Sequence, residues 1–460
     1  MKCIKDIVSG GYIHLVGIGG VGMSGLALLL KERGFRVRGS DIKESRNLQM
    51  LKEKGIDVFV GHKKENINSL VKVVCHSSAI KEDNLEVKEA KEKGIPILKR
   101  AKLLNFICEG KKMIAISGSH GKTTATSLLS YLLTSLGYQP TVFVGGVPLN
   151  YSISSWWSDK EYFVVETDES DGSFLDCFPW VCIITNIDKE HLDYYKNIEN
   201  LKESFLKFAY QTKGMVIGCG DDAGVKEIVK QRQGIDYGFK KNNKIKAKNF
   251  YFDGKFSCFD LYIEDKFISC VKLPLLGEHN VLNVLGVISF FYYLKEDLRR
   301  VIDLLKGFKG TKRRFQIKAI IDGVMFVDDY AHHPTEIKML LKSARYLNPQ
   351  RLLVIFEPHR FSRIKLLWEE FSFCFSLVDE LIVTDIYSAY EEEIPGVNGE
   401  FIFEKIRENF SGMIRYIPRE ELVEKVPLYI KKKDLVIGLG AGEINILMEK
   451  IINEFKRIKV

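Results

Sequence analysis

Short apolar runs recur along the chain, each ending at a glycine-, serine- or aspartate-bearing turn. Beyond each turn the apolar residues return at helical spacing. The first unit of this kind starts at Ile13-His14-Leu15-Val16, turns through Gly17-Ile18-Gly19-Gly20-Val21-Gly22 and continues into a helix predicted over Met23–Arg33. A strand over Arg36–Gly39 ends at Ser40-Asp41, and the strand-like runs Val71–Cys75 and Ile95–Leu98 alternate with a helical run over Leu85–Lys93. Strand and helix in that alternation predict a parallel sheet with helices on its faces. A second series opens near residue 109 with Met113–Ser117, a glycine turn and a helix, followed by strands Tyr162–Glu166 and Val181–Asn186. Between 246 and 274 the period shortens, and Lys248–Phe252, Phe256–Ile263 and Phe267–Leu273 read as a small antiparallel patch before a helix over Val281–Leu294. A third series opens near 309, with strands Met325–Val327, Leu352–Phe356, Glu380–Thr384 and Asp434–Leu439 and a closing helix Glu443–Ile458. The pattern therefore predicts three α/β domains, 1–108, 109–308 and 309–460.

Length agrees, since 460 residues exceed one ordinary core and divide into about three at ~150 each. No apolar run approaches the ~18–20 residues of a membrane span. The first residues lack an apolar signal core with a cleavage site, so a cytoplasmic chain is expected. Nine cysteines form no C-x-x-C pair, and several, such as Cys182, sit in apolar strands. They read as small buried hydrophobes rather than as disulfides or zinc ligands. The net charge of +8 comes without a long basic stretch or interleaved aromatics. That composition favours anionic small molecules over nucleic acid, and Lys431-Lys432-Lys433 and the lysines of 240–248 read as solvated faces.

The most informative stretch is Ala115-Ile116-Ser117-Gly118-Ser119-His120-Gly121-Lys122-Thr123-Thr124. A strand ends in a glycine turn and a helix begins, which turns backbone amides and a helix N-terminus toward anionic oxygens. Lys122 suits the β- and γ-phosphates of a nucleotide, and the Thr123 hydroxyl suits Mg²⁺. The spacing departs from the common phosphate loop, which has glycine where Ile116 stands. Glu166 ends a neighbouring apolar strand, where a parallel sheet presents its ligands, and a carboxylate there suits a hard cation. Gly17-x-Gly19-x-x-Gly22, with Asp41 about 20 residues further on, matches the dinucleotide fingerprint. Read alone, that motif indicates an NAD-dependent oxidoreductase.

Taken together, the motifs resemble those of the Mur ligases. The loop A-x-x-G-[ST]-x-G-K-T-T is followed in family order by Glu166-Thr167-Asp168-Glu169-Ser170-Asp171, Thr185-Asn186-Ile187 with His191-Leu192-Asp193, and Gly277-Glu278-His279-Asn280-Val281-Leu282-Asn283. Arg313-Arg314-Phe315, Asp328-Asp329-Tyr330-Ala331-His332-His333-Pro334-Thr335-Glu336 and Glu357-Pro358-His359-Arg360-Phe361-Ser362-Arg363 complete the series. The resemblance implies a Rossmann-like N-terminal domain, a central P-loop-type ATPase domain with a parallel sheet and a small antiparallel patch, and a Rossmann-like C-terminal domain. It also implies an ATP-dependent ligase that joins L-alanine to UDP-N-acetylmuramate with Mg²⁺ or Mn²⁺, as a monomer or homodimer. Gly19-Gly20-Val21-Gly22-Met23-Ser24-Gly25 and Glu169-Ser170-Asp171 favour the single-alanine branch over a relative that ligates a murein tripeptide.

Roles carry over by the same resemblance. Gly118, Ser119, His120, Gly121, Lys122, Thr123 and Thr124 would bind ATP, with Asn280, Asn283 and Arg314 beside it and Asp329 reaching its ribose. Thr123, Glu166 and His191 would hold the metal, and Lys122, Glu166, His191 and Arg314 would carry the catalysis. Gly19, Gly20, Val21 and Gly22 would cradle the diphosphate of the UDP-sugar. Ser40, Asp41, His62, Ser77 and Ser78 would contact its uridine or ribose. Arg360 and His332 would face the carboxylate of the amino acid or acyl group. His332-His333 is expected to line the site rather than to form a metal pair, and Gly438-Leu439-Gly440-Ala441-Gly442 to be a tight strand-to-helix turn.

Overall fold

The computed structural model describes residues 10–77 and 80–459, with the backbone alone for Asp193 and Lys459. The chain divides into two compact units, 1–249 with 259–272 and 281–309, and 250–258 with 273–280 and 310–460.

The first sheet contains β1 (Tyr12–Val16), β2 (Val37–Asp41), β3 (Asp57–Val60), β4 (Val71–His76) and β5 (Ile97–Leu98), in the order 3-2-1-4-5. Every pairing is parallel. Central β1 is apolar because both of its faces are covered: Ile13, Leu15 and Val16 are fully buried. The helix after the first turn spans Val21–Glu32 and buries Met23 to Leu30. It runs close to the central sheet, and a Cβ on Gly25 would overlap the Ser155 hydroxyl. Edge strand β3 escaped the sequence reading because it is half-exposed and lacks a continuous apolar run.

The second sheet comprises β6 (Lys112–Ser117), β7 (Thr141–Phe143), β8 (Ser155–Trp156), β9 (Tyr162–Glu166), β10 (Val181–Ile184), β11 (Met215–Cys219), β12 (Ile235–Gly238), β13 (Ile245–Phe252), β14 (Ser257–Ile263) and β15 (Lys266–Leu273). Its order is 15-14-13-12-11-10-6-9-7-8. Strands β6, β9 and β10 are central and parallel, so their carboxyl ends meet at one edge. The predicted patch is present as β13–β15, but β13 pairs in parallel with β12, so the patch extends the main sheet. The link from β14 to β15 is Glu264-Asp265, both with positive φ, as a two-residue hairpin requires. One cysteine departs from expectation: Cys270, on β15, is exposed, whereas Cys75, Cys108, Cys177, Cys182, Cys219, Cys258 and Cys374 are buried. Cys3 lies outside the described residues. Lys246, expected on a solvated face, is buried and pairs with Asp265 at 2.9 Å.

The third sheet holds β16 (Gln316–Ile321), β17 (Val324–Asp329), β18 (Arg351–Phe356), β19 (Glu380–Val383), β20 (Met413–Tyr416) and β21 (Asp434–Leu439), in the order 16-17-21-18-19-20. Only the β16–β17 pair is antiparallel. Residues 434–439 of β21 are all buried, and the glycine-rich turn after it leads into a helix over Ile444–Lys459. The carbonyls of that turn receive the Arg313 guanidinium, which agrees with a structural turn rather than a phosphate cradle. Among the described residues no helix is long and apolar enough to cross a membrane.

Candidate active site

β6 ends at Ser117, and the loop Gly118–Gly121 leads into a helix over Lys122–Ser135. Two glycines make the turn possible. Gly118 has φ +131° and Gly121 φ +83°; a Cβ at the first would overlap Thr185 Oγ1, and one at the second Asn283 Oδ1. The segment after β10 clamps the loop from the side. Ser119 N donates to the Asn186 carbonyl at 3.1 Å, His120 N to Asn186 Oδ1 at 2.9 Å, and Asp188 N to Ser119 Oγ at 2.9 Å. The Thr185 hydroxyl donates to the His120 carbonyl at 2.6 Å. The T-N-I motif is therefore the brace of the loop. Gly118→Ala is expected to destabilise the protein by about 3 kcal/mol or more, since it adds backbone strain to overlap. A thermal melt checks this, with Thr185→Ala in the same chain recovering part of the loss.

Lys122 Nζ donates to the Gly118 carbonyl, to the Ser119 carbonyl at 3.1 Å and to Glu169 Oε1 at 2.7 Å. Burial works against its charge, but Glu169, Glu190 and Glu166 outweigh that and hold the lysine above its ordinary pKa. Complete burial pushes the Glu169 carboxyl up to about 7, against the pull of Lys122. Sequence reasoning gave Glu169 no role, although it lies inside the quoted acidic motif. Beside it, the Thr123 hydroxyl donates to Glu166 Oε1 at 2.7 Å and Gly145 N to Glu166 Oε2 at 2.6 Å. A hydroxyl and a carboxylate so paired at the head of the helix are hard oxygen donors, a set that fits Mg²⁺.

His191 has φ +57° and caps a one-turn helix, Leu192–Tyr195. Its Nε2 lies 3.7 Å from Glu169 Oε1 and 3.9 Å from Glu190 Oε2, and the ligand atoms of these three residues lie within 4.8 Å of one another. The structure thus groups Thr123 with Glu166, and His191 with Glu169 and Glu190, with Lys122 touching Glu169. His120 Nε2 and Asp188 Oδ2 are 2.9 Å apart. Thr124 is buried in the helix's first turn.

In the first sheet the glycine loop follows β1. Gly17 has φ +76°, and Gly19 has no room for a Cβ against Leu48 and Asp41. Asp41 clamps this loop, its Oδ2 accepting from Gly19 N at 2.8 Å. Val21 at the loop tip is exposed, while Gly20 leaves space above the helix N-terminus. Ser40 departs from its expected role as a ligand contact. It is fully buried, and its hydroxyl donates to Glu86 while lying 2.9 Å from His62 Nδ1. Glu86 also meets His14 Nε2 at 3.2 Å, the Lys63 amide and the Asn66 side chain. These polar groups form an internal brace under the loop ends, with His62 as one of its members. Ser77 N donates to the Val16 carbonyl at 3.0 Å; Ser78 lies outside the described residues.

Burial raises the Glu86 pKa, but the His14, Ser40 and Asn66 donors more than reverse this and hold it below its ordinary 4.5. A lowered carboxylate contributes stability that is present above its unfolded value and lost as pH falls through the folded one. Glu86→Gln should therefore flatten the acid limb of the stability profile below about pH 4.3, read as melting temperature against pH.

The second unit holds its own cluster. Asp329, at the end of β17, accepts from Phe315 N at 2.6 Å and Ala331 N at 2.8 Å, and burial pushes its carboxyl up to about 6. Arg314 lies 3.8 Å from Glu336 and 5.2 Å from the Tyr330 ring centroid. His332 Nδ1 sits 3.0 Å from the Tyr330 carbonyl, and its ring meets His359 edge-on. His333 caps the helix over Pro334–Arg345, its Nδ1 accepting from Thr335 N at 3.3 Å. Burial, with Arg363, Arg360 and Arg313 nearby, lowers the His359 pKa to about 3, which leaves a neutral imidazole. Arg360 is half-exposed, 3.9 Å from Glu391, and holds φ +69°, strain of a kind that concentrates at functional sites. Asn280 is buried, its amide donating to the Leu276 carbonyl at 2.9 Å.

Family models match three consecutive stretches: "Mur ligase family, catalytic domain" over residues 12–112, "Mur ligase middle domain" over 116–291 and "Mur ligase, glutamate ligase domain" over 313–442. The UDP-N-acetylmuramate–L-alanine ligase of Caldanaerobacter subterraneus is 39% identical over 97% of this chain and 98% of its own. That of Dictyoglomus turgidum is 41% identical over 94% of each. The crystal structure of a UDP-N-acetylmuramate–alanine ligase from Thermotoga maritima superposes with a TM-score of 0.84 at 28% identity, covering 97% of this chain and 99% of that one. The chain belongs to the Mur ligase family, as the loop, its brace and the three successive α/β sheets already indicate.

Proposed function

We propose that the chain is a UDP-N-acetylmuramate–L-alanine ligase acting in the synthesis of peptidoglycan precursors. The observation that carries this reading is Lys122, buried at the head of a glycine loop and held by Glu169, beside a Thr123–Glu166 pair. ATP is the co-substrate: amides of Gly118–Thr124 and Nζ of Lys122 bind its phosphates, with Asn280, Asn283, Arg314 and Asp329 as further contacts. Thr123, Glu166 and His191 would hold Mg²⁺, or Mn²⁺ in its place, which when bound offsets charge on the phosphates. The three domains are proposed as 1–108 for the UDP-sugar, 109–308 for ATP, and 309–460 for the amino acid and the closing of the ATP site.

The lactyl carboxylate of the sugar attacks the γ-phosphorus and ADP leaves, giving an acyl phosphate. The alanine amine then attacks the acyl carbon, phosphate departs with the carboxyl oxygen, and the nitrogen loses a proton. Two anionic reactants repel one another, so the chain's part is to supply fixed positive charge where they meet. Lys122 and the loop amides do this at the phosphates, and Arg360 with His332 suits a carboxylate. The protein is proposed to be cytoplasmic, a monomer or homodimer, with no nucleic-acid or membrane partner. Phosphate release from ATP with UDP-N-acetylmuramate, repeated with alanine, glycine and serine, tests the reading. Alanine should give the highest kcat/KM, by a margin of only ~1–3 kcal/mol for one small group. No release with any of the three would reject it.

A further inference from the structure

Arg100 is the first residue of the helix Arg100–Ile107, on the segment that leads from β5 to β6. Its Nη2 donates to Asp168 Oδ2 at 2.7 Å. Its other amino group lies against the first glycine loop: for Gly22, the nearest atom to an added Cβ is Arg100 Nη1, at 2.7 Å. Gly22 is the second residue of its helix, where backbone amides have no helical acceptor and the helix end favours anions. One planar guanidinium therefore spans the glycine loop and the acidic segment whose next residue, Glu169, holds Lys122. The Arg100 side chain is 25% exposed and that of Asp168 34%, so an anion can reach the pair.

We propose that Arg100 is a substrate-binding residue, its Nη1 edge donating to the diphosphate seated on the Gly19–Gly22 loop while Asp168 holds the guanidinium plane. The inference rests on the reading of that loop as a UDP-sugar site. It gives a reason for glycine at position 22, because any side chain there would displace the arginine. It also makes lysine a poor replacement, because a single ammonium cannot serve Asp168 and the loop with one planar fork.

The test compares Arg100→Ala, Arg100→Lys and Asp168→Ala in the full chain. Steady-state kinetics give KM for UDP-N-acetylmuramate, ATP and alanine, and calorimetry gives the affinity for UDP alone. Arg100→Ala should raise KM for the sugar nucleotide and Kd for UDP by about 10- to 100-fold, as expected for a lost charge-assisted hydrogen bond. KM for ATP should stay within about twofold of its original value. Arg100→Lys should recover only part of the loss, and Asp168→Ala should weaken UDP less than Arg100→Ala does. Equal changes in all three KM values for both alanine variants, or a lowered melting temperature with UDP affinity unchanged, would make the pair a structural tie and overturn the proposal. Should Arg100→Ala not fold, the same readouts on Arg100→Lys decide. An unmodified chain that binds UDP through Arg100 yet releases no phosphate would instead reject the functional reading alone.

Discussion

Lys122→Ala should reduce phosphate release by about 10³-fold or more while leaving the protein folded. The first half of that expectation follows from where charge develops. The γ-phosphoryl group carries its charge on oxygens while it moves, and a fixed cation in a water-poor loop stabilises that arrangement more than it does the ground state. Lys122 is the loop's own cation, and its three protein contacts, two carbonyls and Glu169, place Nζ at the head of the helix. The second half follows from Glu169. A buried carboxylate stripped of its lysine partner would be costly if it stayed ionised. Its carboxyl already sits at about 7, raised by burial, so losing Lys122 raises it further and a proton takes the place of the ammonium. The melting temperature at pH 7 should therefore move little, which separates lost chemistry from lost folding. Undiminished turnover in this variant would remove the basis for an ATP site at 118–124.

How much could be read beforehand depended on how far apart in sequence the partners lie. The loop at 115–124 was readable because strand, turn and helix are contiguous there, and its two glycines are required by local geometry. The role of Glu169 was not, because its contact with Lys122 exists only once β6 and β9 pair. That register sets Ile116 opposite Glu166 and so lays the acidic motif across the loop. The brace formed by His14, Ser40, His62 and Glu86 escaped for the same reason: Glu86 is 72 residues from His14 and 46 from Ser40, and no local pattern links them. Ser40 and Asp41 illustrate the difference between placing a residue and knowing its partner. Both were rightly placed at the end of β2, yet the strand's alternation turns Ser40 inward to Glu86 and Asp41 toward the glycine loop. Likewise the residues at 332–333 were expected only to line the site, and the capping hydrogen bond of His333 had to be seen in three dimensions.

Glu166→Gln should lower kcat by about 10²- to 10³-fold at ordinary magnesium concentration, with part of the loss recovered as magnesium is raised. Glutamine has nearly the same shape, and its one carbonyl oxygen can accept from either Gly145 N or Thr123 Oγ1, the two donors that hold Glu166 now. The fold is therefore preserved, and what changes is charge: an amide oxygen is a much weaker donor to a hard cation than a carboxylate. Thr123→Val removes the other half of the pair and keeps the side chain's volume, and it should produce the same magnesium-dependent defect. If the two residues act on one ion, the double variant will fall little further than the worse single variant, because groups that work as a unit lose their effect together. Multiplicative losses in the double variant, or a defect in either single variant that magnesium does not relieve, would instead mean that Glu166 and Thr123 serve only to hold the loop. The hydrogen bond between them would then be the whole of their function. Titrating magnesium across the four proteins in the phosphate-release assay distinguishes the two outcomes.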